Sequence, residues 1–297
     1  MEGTPFFSVI IPTYNRSKSI KSAINSILNQ SFQDFEVVVV DDGSTDNTRD
    51  VVSLLMENDN RIRYFYKENE ERSIARNYGI SNARGKYVNF LDSDDMAYPQ
   101  HLELGYLLLR KNNFPEVGHM GFELIDPSGN KLVVRNEFDH TFKIKLIHDN
   151  ILHGNAILIR QDVVRVINFI PSPYAILAED WYLWLRLASR YVFHFDNSVT
   201  VAIIQHEHRS LMKIDPDKLI RNTEVIIEYL ETDKSFLSYY KGSINYFYSN
   251  LYTFVTLILA LTKRRRRDTI KYLLVALKYD FTVVFRRRFL ASLKHLF

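Results

Sequence analysis

The fold is decided by the stretch VVVVDDGS at residues 37–44, where four consecutive valines run into two aspartates and a glycine. A short β-branched run that ends in turn-forming residues is typical of a buried strand followed by a polar loop. The arrangement repeats along the first third of the chain, where strands are predicted at 7–11, 35–40, 62–66 and 87–91, and helices at 19–28, 48–56 and 74–83. Such βαβ units indicate an α/β fold with a mainly parallel sheet and with ligands at the carboxyl ends of its strands.

The rest of the chain divides into a mixed region and a helical one. The mixed region has strands predicted at 156–159 and 199–204, and a helix at 180–191. Beyond Asp215 the pattern is helical to the last residue. We therefore predict one domain at 1–213, with a first half at 1–95 and a second half at 96–213, and a helical extension at 214–297.

The composition excludes several kinds of site. The 297 residues contain no cysteine, so disulfide bonds and thiolate metal sites are excluded. The N-terminus lacks the basic and apolar segments of a signal peptide. No uninterrupted apolar stretch reaches the length of about 18 residues that predicts a membrane span. We therefore expect a cytoplasmic protein.

Charge is distributed unevenly along the chain. The net charge is +3, but residues 241–297 contain twelve basic and two acidic residues, so this segment carries +10 and the rest carries −7. Apolar residues recur there at helical spacing among the cations; they are Ile270, Leu273, Leu274, Leu277, Phe281, Val284 and Phe285. A basic amphipathic helix suits an anionic membrane surface, here the inner face of the cell membrane. The alternatives are packing on the catalytic domain and homo-oligomerisation through the C-terminal helices. Nucleic acid is not expected, because no recognised binding module accompanies the charge.

An acidic cluster follows the fourth predicted strand. The segment FLDSDD at 90–95 places Asp92, Asp94 and Asp95 directly after a hydrophobic run. Mg²⁺ and Mn²⁺ prefer oxygen ligands, and in an extended chain Asp92 and Asp94 would point to the same side. A solvated acidic turn or a helix cap is the alternative interpretation.

A second acidic pair, Asp41 and Asp42, follows the second strand. A carboxylate at this place can accept a hydrogen bond from a ribose hydroxyl, and capping of the next helix is the alternative. No glycine-rich dinucleotide or P-loop motif follows any strand, which argues against dehydrogenases and P-loop enzymes.

Four segments stand in order along the first half of the chain; they are SVIIPTYNR at 8–16, DDGSTD at 41–46, ARNYG at 75–79 and GKYVNFLDSDD at 85–95. Together they closely resemble inverting glycosyltransferase family 2 enzymes, which have the GT-A fold, a Rossmann-like sheet flanked by helices. The resemblance implies transfer of a sugar from a nucleotide-diphosphate sugar to a hydroxyl acceptor, with Mn²⁺ or Mg²⁺ as cofactor. It also implies that residues 1–95 are a nucleotide-binding half and residues 96–213 an acceptor-binding half.

The resemblance also implies roles for individual residues near the donor. The nucleobase and ribose would be held by Pro12, Thr13, Tyr14 and Asp42. The acidic motif would place Asp92 and Ser93 at the nucleotide sugar and Asp94 on the metal, with Asp92 and Asp95 as further contributors. Arg72 and Arg76 lie in a segment that often approaches the nucleotide, although Arg76 equally suits a structural ion pair.

The acceptor side requires a base that takes the proton of the attacking hydroxyl. The segment EDWYLWLR at 179–186 resembles the family's E-D motif, which implies Asp180 as the base and Glu179 as its neighbour. Helix capping is the alternative role for both acids. Trp181 and Trp184 suit sugar stacking or, more commonly on so apolar a helix, the core.

Two further histidine segments are candidates. Family members often have a histidine on the metal or pyrophosphate near residues 206–210, and we prefer His208 to His206; a solvated loop is the alternative. The segment HGN at 153–155 is a weaker candidate for the acceptor cleft.

The sequence thus predicts a metal-dependent inverting glycosyltransferase. A membrane-binding extension would suit an acceptor that is a lipid-linked or surface glycan precursor. A non-catalytic nucleotide-sugar-binding membrane scaffold and a nucleotidyltransferase are the competing hypotheses.

Overall fold

The computed structural model describes residues 3–139, 141–205, 215–262 and 265–296. The chain divides into two compact units, Met1–His206 and Glu207–Phe297. The predicted boundary between residues 213 and 214 falls outside the described residues, and it stays a prediction.

The first unit alternates strands and helices as the sequence predicts. Its strands are β1 (Phe7–Thr13), β2 (Phe35–Asp41), β3 (Ile62–Tyr66), β4 (Tyr87–Phe90), β5 (Met96–Ala97), β6 (Val117–Ile125), β7 (Lys131–Arg135), β8 (Ile157–Arg160) and β9 (Phe193–Ile204). Its helices are α1 (Ile20–Leu28), α2 (Thr48–Met56), α3 (Arg72–Asn82), α4 (His101–Lys111), α5 (Phe142–His148), α6 (Gln161–Val166) and α7 (Glu179–Ala188).

The described strands form one mixed sheet in the order β3-β2-β1-β4-β8-β6-β9-β5, with β7 beside β6. Strands β3, β2, β1 and β4 are parallel, whereas β8 is antiparallel to both of its neighbours. Every residue of β1, β2 and β4 is buried, which accounts for their continuous apolar sequence. Because Thr13 pairs with Asp41 and Ile10 with Phe90, the polar residues that follow these strands share one edge of the sheet.

One glycine determines how closely α3 approaches the sheet. A Cβ atom on Gly79 would lie 2.4 Å from Cγ2 of Ile10, a separation that is closer than van der Waals contact. The absence of a side chain at this position lets the helix pack tightly on β1. The same helix carries Arg72 and Arg76, so Gly79 contributes to their placement at the sheet edge.

The second unit is helical in its described residues, as predicted. Its helices are α8 (Pro216–Glu231), α9 (Lys234–Tyr239), α10 (Ile244–Leu261), α11 (Arg266–Tyr279) and α12 (Arg287–Leu296), with a short 3₁₀ turn at Phe281–Phe285. Helix α10 is long and apolar enough to cross a membrane, yet 56% of it is buried in the structure. Since it packs against α8, α11 and α12, we interpret α10 as the core helix of this unit.

The apolar residues of the C-terminal segment face two ways. Leu273 is buried, and Leu277 and Val284 pack on the same small cluster. In contrast, Phe281 and Phe285 are 73% and 81% exposed. Ile270 and Leu274 are also exposed. The segment therefore has its own core and a separate outward apolar surface.

Candidate active site

The loops after β1 and β2 are tied together by hydrogen bonds from backbone amides. Asn15 has a positive φ of 52°, and its Oδ1 accepts hydrogen bonds from the amides of Thr45 (2.8 Å) and Asp46 (3.3 Å). The amide of Asp42 donates to the carbonyl of Thr13 at 2.9 Å. These bonds hold the two predicted nucleotide-binding segments in one rigid corner of the sheet.

The predicted nucleoside-binding residues line this corner. Pro12 and Thr13 are buried, and Thr13 Oγ1 has no hydrogen-bond partner among the described residues. The ring of Tyr14 is exposed. Asp42 accepts from Lys67 Nζ (2.8 Å) and the Glu70 amide (3.1 Å), both through Oδ1. Its Oδ2 accepts no hydrogen bond within the described parts of the chain, so one acceptor oxygen of Asp42 and the Thr13 hydroxyl both lack a protein partner there.

The acidic segment after β4 forms a tight turn instead of the extended chain considered for it. The amide of Asp95 donates to the carbonyl of Asp92 at 3.0 Å. Asp94 is partly exposed and lies 3.7 Å from Arg16, whereas Ser93 is buried. Because the chain turns, the argument that Asp92 and Asp94 point to one side does not apply here.

A set of three side chains that could bind a metal ion is nevertheless present. Ligand atoms of Asp92, Asp95 and His153 all lie within 4.8 Å of one another. Carboxylate oxygens and an imidazole nitrogen suit Mn²⁺, and two carboxylates also suit Mg²⁺. Asp94 does not belong to this group, and the predicted ligand His208, like His206, lies outside the described residues. Sequence reasoning considered His153 only for the acceptor cleft, since its distance of 61 residues from Asp92 hides their proximity.

A buried arginine joins the donor side to the helix of the predicted base. Arg76 Nη2 lies 2.7 Å from Asp92 Oδ1, and its Nη1 lies 2.5 Å from Glu179 Oε1. Arg72 adds a second contact to Glu179 at 3.2 Å and also donates to the carbonyl of Ile176 at 2.8 Å. Arg76 thus forms an ion pair with both Asp92 and Glu179, and its approach to the nucleotide stays a prediction.

These ion pairs set the charge states of the group. Burial alone would raise the pKa of Asp92, but the charges of Arg76, His153 and Arg72 together outweigh it and bring this pKa to about 2. Burial likewise opposes the charge on Arg76, yet Asp92 and Glu179 keep the pKa of the guanidinium raised. Both groups are therefore charged throughout the physiological range.

Asp180 is in a different environment at the start of α7. Its Oδ1 accepts from the Trp181 amide at 2.8 Å, and Asn150 Nδ2 lies 3.3 Å from both of its oxygens. Burial, followed by the neighbouring charge of Glu179, raises the pKa of Asp180 to about 6. The residue before the helix, Ala178, has a left-handed φ of 53°, a conformation that costs non-glycine residues about 1 kcal/mol. Such strain is typical of turns that aim functional side chains.

The tryptophans of α7 have structural partners. Trp184 is fully buried, and its ring lies 6.4 Å from that of Phe169. Trp181 donates from Nε1 to the carbonyl of Leu146 at 2.6 Å. These contacts favour the core interpretation for Trp184 and anchor Trp181 to α5.

The site therefore has two chemically distinct carboxylates. Asp92 stays ionised beside a cation, whereas Asp180 has a pKa near the operating range and can exchange a proton. A pair of acids whose environments separate their pKa values is typical of a catalytic site.

The first half of the chain matches a known protein family. Residues 8–166 match the model of glycosyl transferase family 2. A Rickettsia conorii protein described as an uncharacterised glycosyltransferase is 34% identical over 70% of this chain and 35% of its own length. A Campylobacter jejuni relative, named GalNAc(5)-diNAcBac-PP-undecaprenol beta-1,3-glucosyltransferase, is 40% identical over 42% of this chain and 40% of its own length. The chain thus spans well under half of the length of either relative.

Solved structures share the fold. S. aureus TarS in complex with UDP superposes with a TM-score of 0.63 at 18% identity, over 95% of this chain and 93% of that one. A mannosyltransferase of Pyrobaculum calidifontis, solved with GDP-Man and Mn²⁺, has a TM-score of 0.59 at 16% identity, over 100% and 88% of the two chains. The predicted GT-A type of α/β fold is confirmed, and a divalent cation is consistent with the acidic group described above.

Proposed function

Because the chain belongs to glycosyltransferase family 2 and is a glycosyltransferase, we propose that it transfers a sugar from a nucleoside diphosphate donor to a hydroxyl, with inversion. The donor binds at the carboxyl ends of β1, β2 and β4. Tyr14 stacks on the base, Asp42 Oδ2 accepts from the ribose, and Asp180 takes the proton of the acceptor hydroxyl.

One observation carries this proposal. Arg76 contacts Asp92 with one nitrogen and Glu179 with another, so the donor motif and the residue next to Asp180 belong to a single charged network. The network supports a common site for two segments that are about 90 residues apart in the sequence. The family match ends at residue 166, so the assignment of Asp180 depends on this geometry and on its raised pKa.

The residues fit a divalent cation, which when bound offsets the negative charge that develops on the departing diphosphate. We propose Asp94 and Asp92 as its carboxylate ligands, with Asp95, His208 and His153 as further donors. The partial exposure of Asp94 supports this, because an accessible carboxylate can reach a cation that arrives with the donor.

The remaining steps depend on the chain's own residues. Arg76 pairs with both Asp92 and Glu179, and Arg72 adds a second positive charge at Glu179, so these two acids are paired before the donor enters. Asp180 is half-buried, and its carboxylate, whose pKa is raised, gains a proton more readily than one in water. It can therefore take the acceptor proton as the new C–O bond forms, in a single displacement without a covalent enzyme intermediate.

We propose a lipid-linked or surface glycan precursor as the acceptor, and the inner face of the cell membrane as the place of reaction. The C. jejuni relative supports this because its name specifies an undecaprenol diphosphate acceptor. The exposed Phe281 and Phe285, which lie beside Arg287 and Arg288, support an anionic membrane as the partner of the C-terminal unit. Homo-oligomerisation through the same surface is the competing proposal.

Incubation with a panel of nucleotide sugars and Mn²⁺ is expected to release nucleoside diphosphate from one of them, by slow hydrolysis or by transfer to an added acceptor. Coupled detection of nucleoside diphosphate measures this directly. Donor binding without any release would identify a non-catalytic scaffold. Release of pyrophosphate from a nucleoside triphosphate and a sugar phosphate would identify a nucleotidyltransferase.

The double variant Phe281→Ser/Phe285→Ser is expected to lose at least tenfold in affinity for anionic vesicles. Burying each phenylalanine side chain contributes about 1.5–3 kcal/mol, so the loss of two such anchors leaves charge attraction and the smaller apolar contribution of Ile270 and Leu274. Sedimentation with phosphatidylglycerol vesicles measures the effect, and phosphatidylcholine vesicles show the part due to charge. The control Leu54→Ser/Val166→Ser removes exposed apolar residues from the first unit and should bind normally. If the double variant binds vesicles normally but a dimer formed by the wild type dissociates, homo-oligomerisation through this surface is favoured instead.

A further inference from the structure

The segment 149–156, between α5 and β8, is firmly fixed to the sheet. Leu152 and the short turn Gly154–Ala156 are buried. The amide of His153 donates to Nε2 of the buried His119 at 3.3 Å. The carbonyl of Asn155 accepts from Asn89 Nδ2 at 3.0 Å. A loop anchored in this way can hold other groups in place.

Its first asparagine faces the predicted base. Asn150 Nδ2 lies 3.3 Å from both carboxylate oxygens of Asp180. Asn150 Oδ1 is buried and has no hydrogen-bond partner in the described ranges. Buried side-chain amides normally form hydrogen bonds through both their nitrogen and their oxygen. Among the described residues, Asn150 contacts Asp180 through its nitrogen and leaves its oxygen without a hydrogen bond, so we interpret the contact with Asp180 as the reason for the position of this side chain.

Its second asparagine holds the acidic turn at both ends. Asn155 Oδ1 accepts from the amide of Asp92 at 3.1 Å, and its Nδ2 donates to Asp95 Oδ2 at 2.8 Å. Asp95 Oδ1 accepts in turn from the amide of Ile204 at 2.8 Å. The turn that carries Ser93 and Asp94 is therefore held between the short turn before β8 and the end of β9.

We propose that Asn150 and Asn155 are positioning residues, the first for the Asp180 carboxylate and the second for the acidic turn, so that one loop orients both the base and the donor side. This inference rests on the proposed function, because it assigns no new reaction and concerns the groups that carry the proposed one.

The chemistry of an amide suits each position. At Asn150, the amide donates to a carboxylate that also faces Glu179 and Tyr182 of its own helix and Arg76 of α3. A hydrogen bond to the ionised form favours that form, so Asn150 opposes the effect of burial. At Asn155, the amide accepts through its oxygen and donates through its nitrogen, whereas an aspartate there could not donate and would put a second negative charge against Asp95.

The two roles predict that Asn150→Ala and Asn155→Ala change different measured quantities. We expect Asn150→Ala to move the acid limb of the kcat profile up by about one pH unit, since a hydrogen bond to a charged group contributes about that much. Its Mn²⁺ requirement should not change. The second readout is the Mn²⁺ concentration at which the donor produces half of its full increase in Tm. Asn155→Ala should raise this concentration by at least about tenfold, as is usual for residues that orient metal ligands. Its acid limb should stay in place.

Each variant is the control for the other, and Asn155→Ser replaces Asn155→Ala if the latter melts below the assay temperature. The proposal is overturned if both variants change both readouts equally, which would indicate general loss of structure, or if neither changes its own readout. A wild-type enzyme without transfer, or an active Asp180→Asn variant, would instead reject the proposed function.

Discussion

Replacement of Asp180 by asparagine is expected to lower kcat by about a hundredfold to ten-thousandfold, the usual contribution of a general base. The amide has nearly the same shape and cannot take a proton, while the residues proposed for the donor lie on other elements. Donor affinity should therefore be unchanged. Isothermal titration with the donor and Mn²⁺, beside initial rates of transfer, separates the two effects.

The pH dependence of the wild-type enzyme provides an independent check on the same residue. Burial raises the pKa of Asp180 to about 6, so the carboxyl is protonated below that pH and cannot act as a base. The kcat of the wild type should rise as pH increases through 6, and the residual activity of Asp180→Asn should lack that limb. The same limb in the variant would assign the base elsewhere.

Glu179→Gln is the matched control, because it removes a carboxylate from the same turn. Glu179 holds Arg76 and Arg72, and loss of a buried ion-pair partner typically costs about 3–5 kcal/mol. We expect a lower Tm but an acid limb that persists, although with one negative charge fewer it should shift to lower pH. An effect on kcat as large as that of Asp180→Asn, at full stability, would make Glu179 the base.

The first half of the fold could be predicted because its signals are local. Strands β1 and β2 are buried on both faces, so a continuous apolar run marks each of them, and polar turns mark their ends. The sequence does not predict strand β6, although this strand lies between β8 and β9 in the sheet. It contains His119 and Glu123, and Glu123 is accommodated by the Tyr98 hydroxyl and by Lys131, whose positions only the tertiary structure brings together.

The same limit applies to the candidate site. Residue types and motif order predicted Asp92, Arg76 and Asp180 as members of one site. The sequence does not reveal that Arg76 pairs with Glu179, because 103 residues separate them. It also does not reveal that the acidic motif turns, since the turn depends on Asn155 and on the amide of Ile204.

Asp94→Asn is expected to weaken Mn²⁺-dependent donor binding by at least tenfold, since even residues that only orient metal ligands cost about 10–100-fold. In the structure Asp94 lies 3.7 Å from Arg16, half of which is exposed, and such ion pairs stabilise by about 1 kcal/mol or less. A cation that arrives with the diphosphate can therefore replace Arg16 at little cost. The change in Tm that the donor produces, measured with and without Mn²⁺, reports this binding. The control variant Arg16→Ala should keep the Mn²⁺-dependent change.

His153→Ala provides the decisive contrast. If His153→Ala loses the Mn²⁺ effect and Asp94→Asn keeps it, the cation belongs to the group of Asp92, Asp95 and His153, and the assignment of Asp94 is wrong.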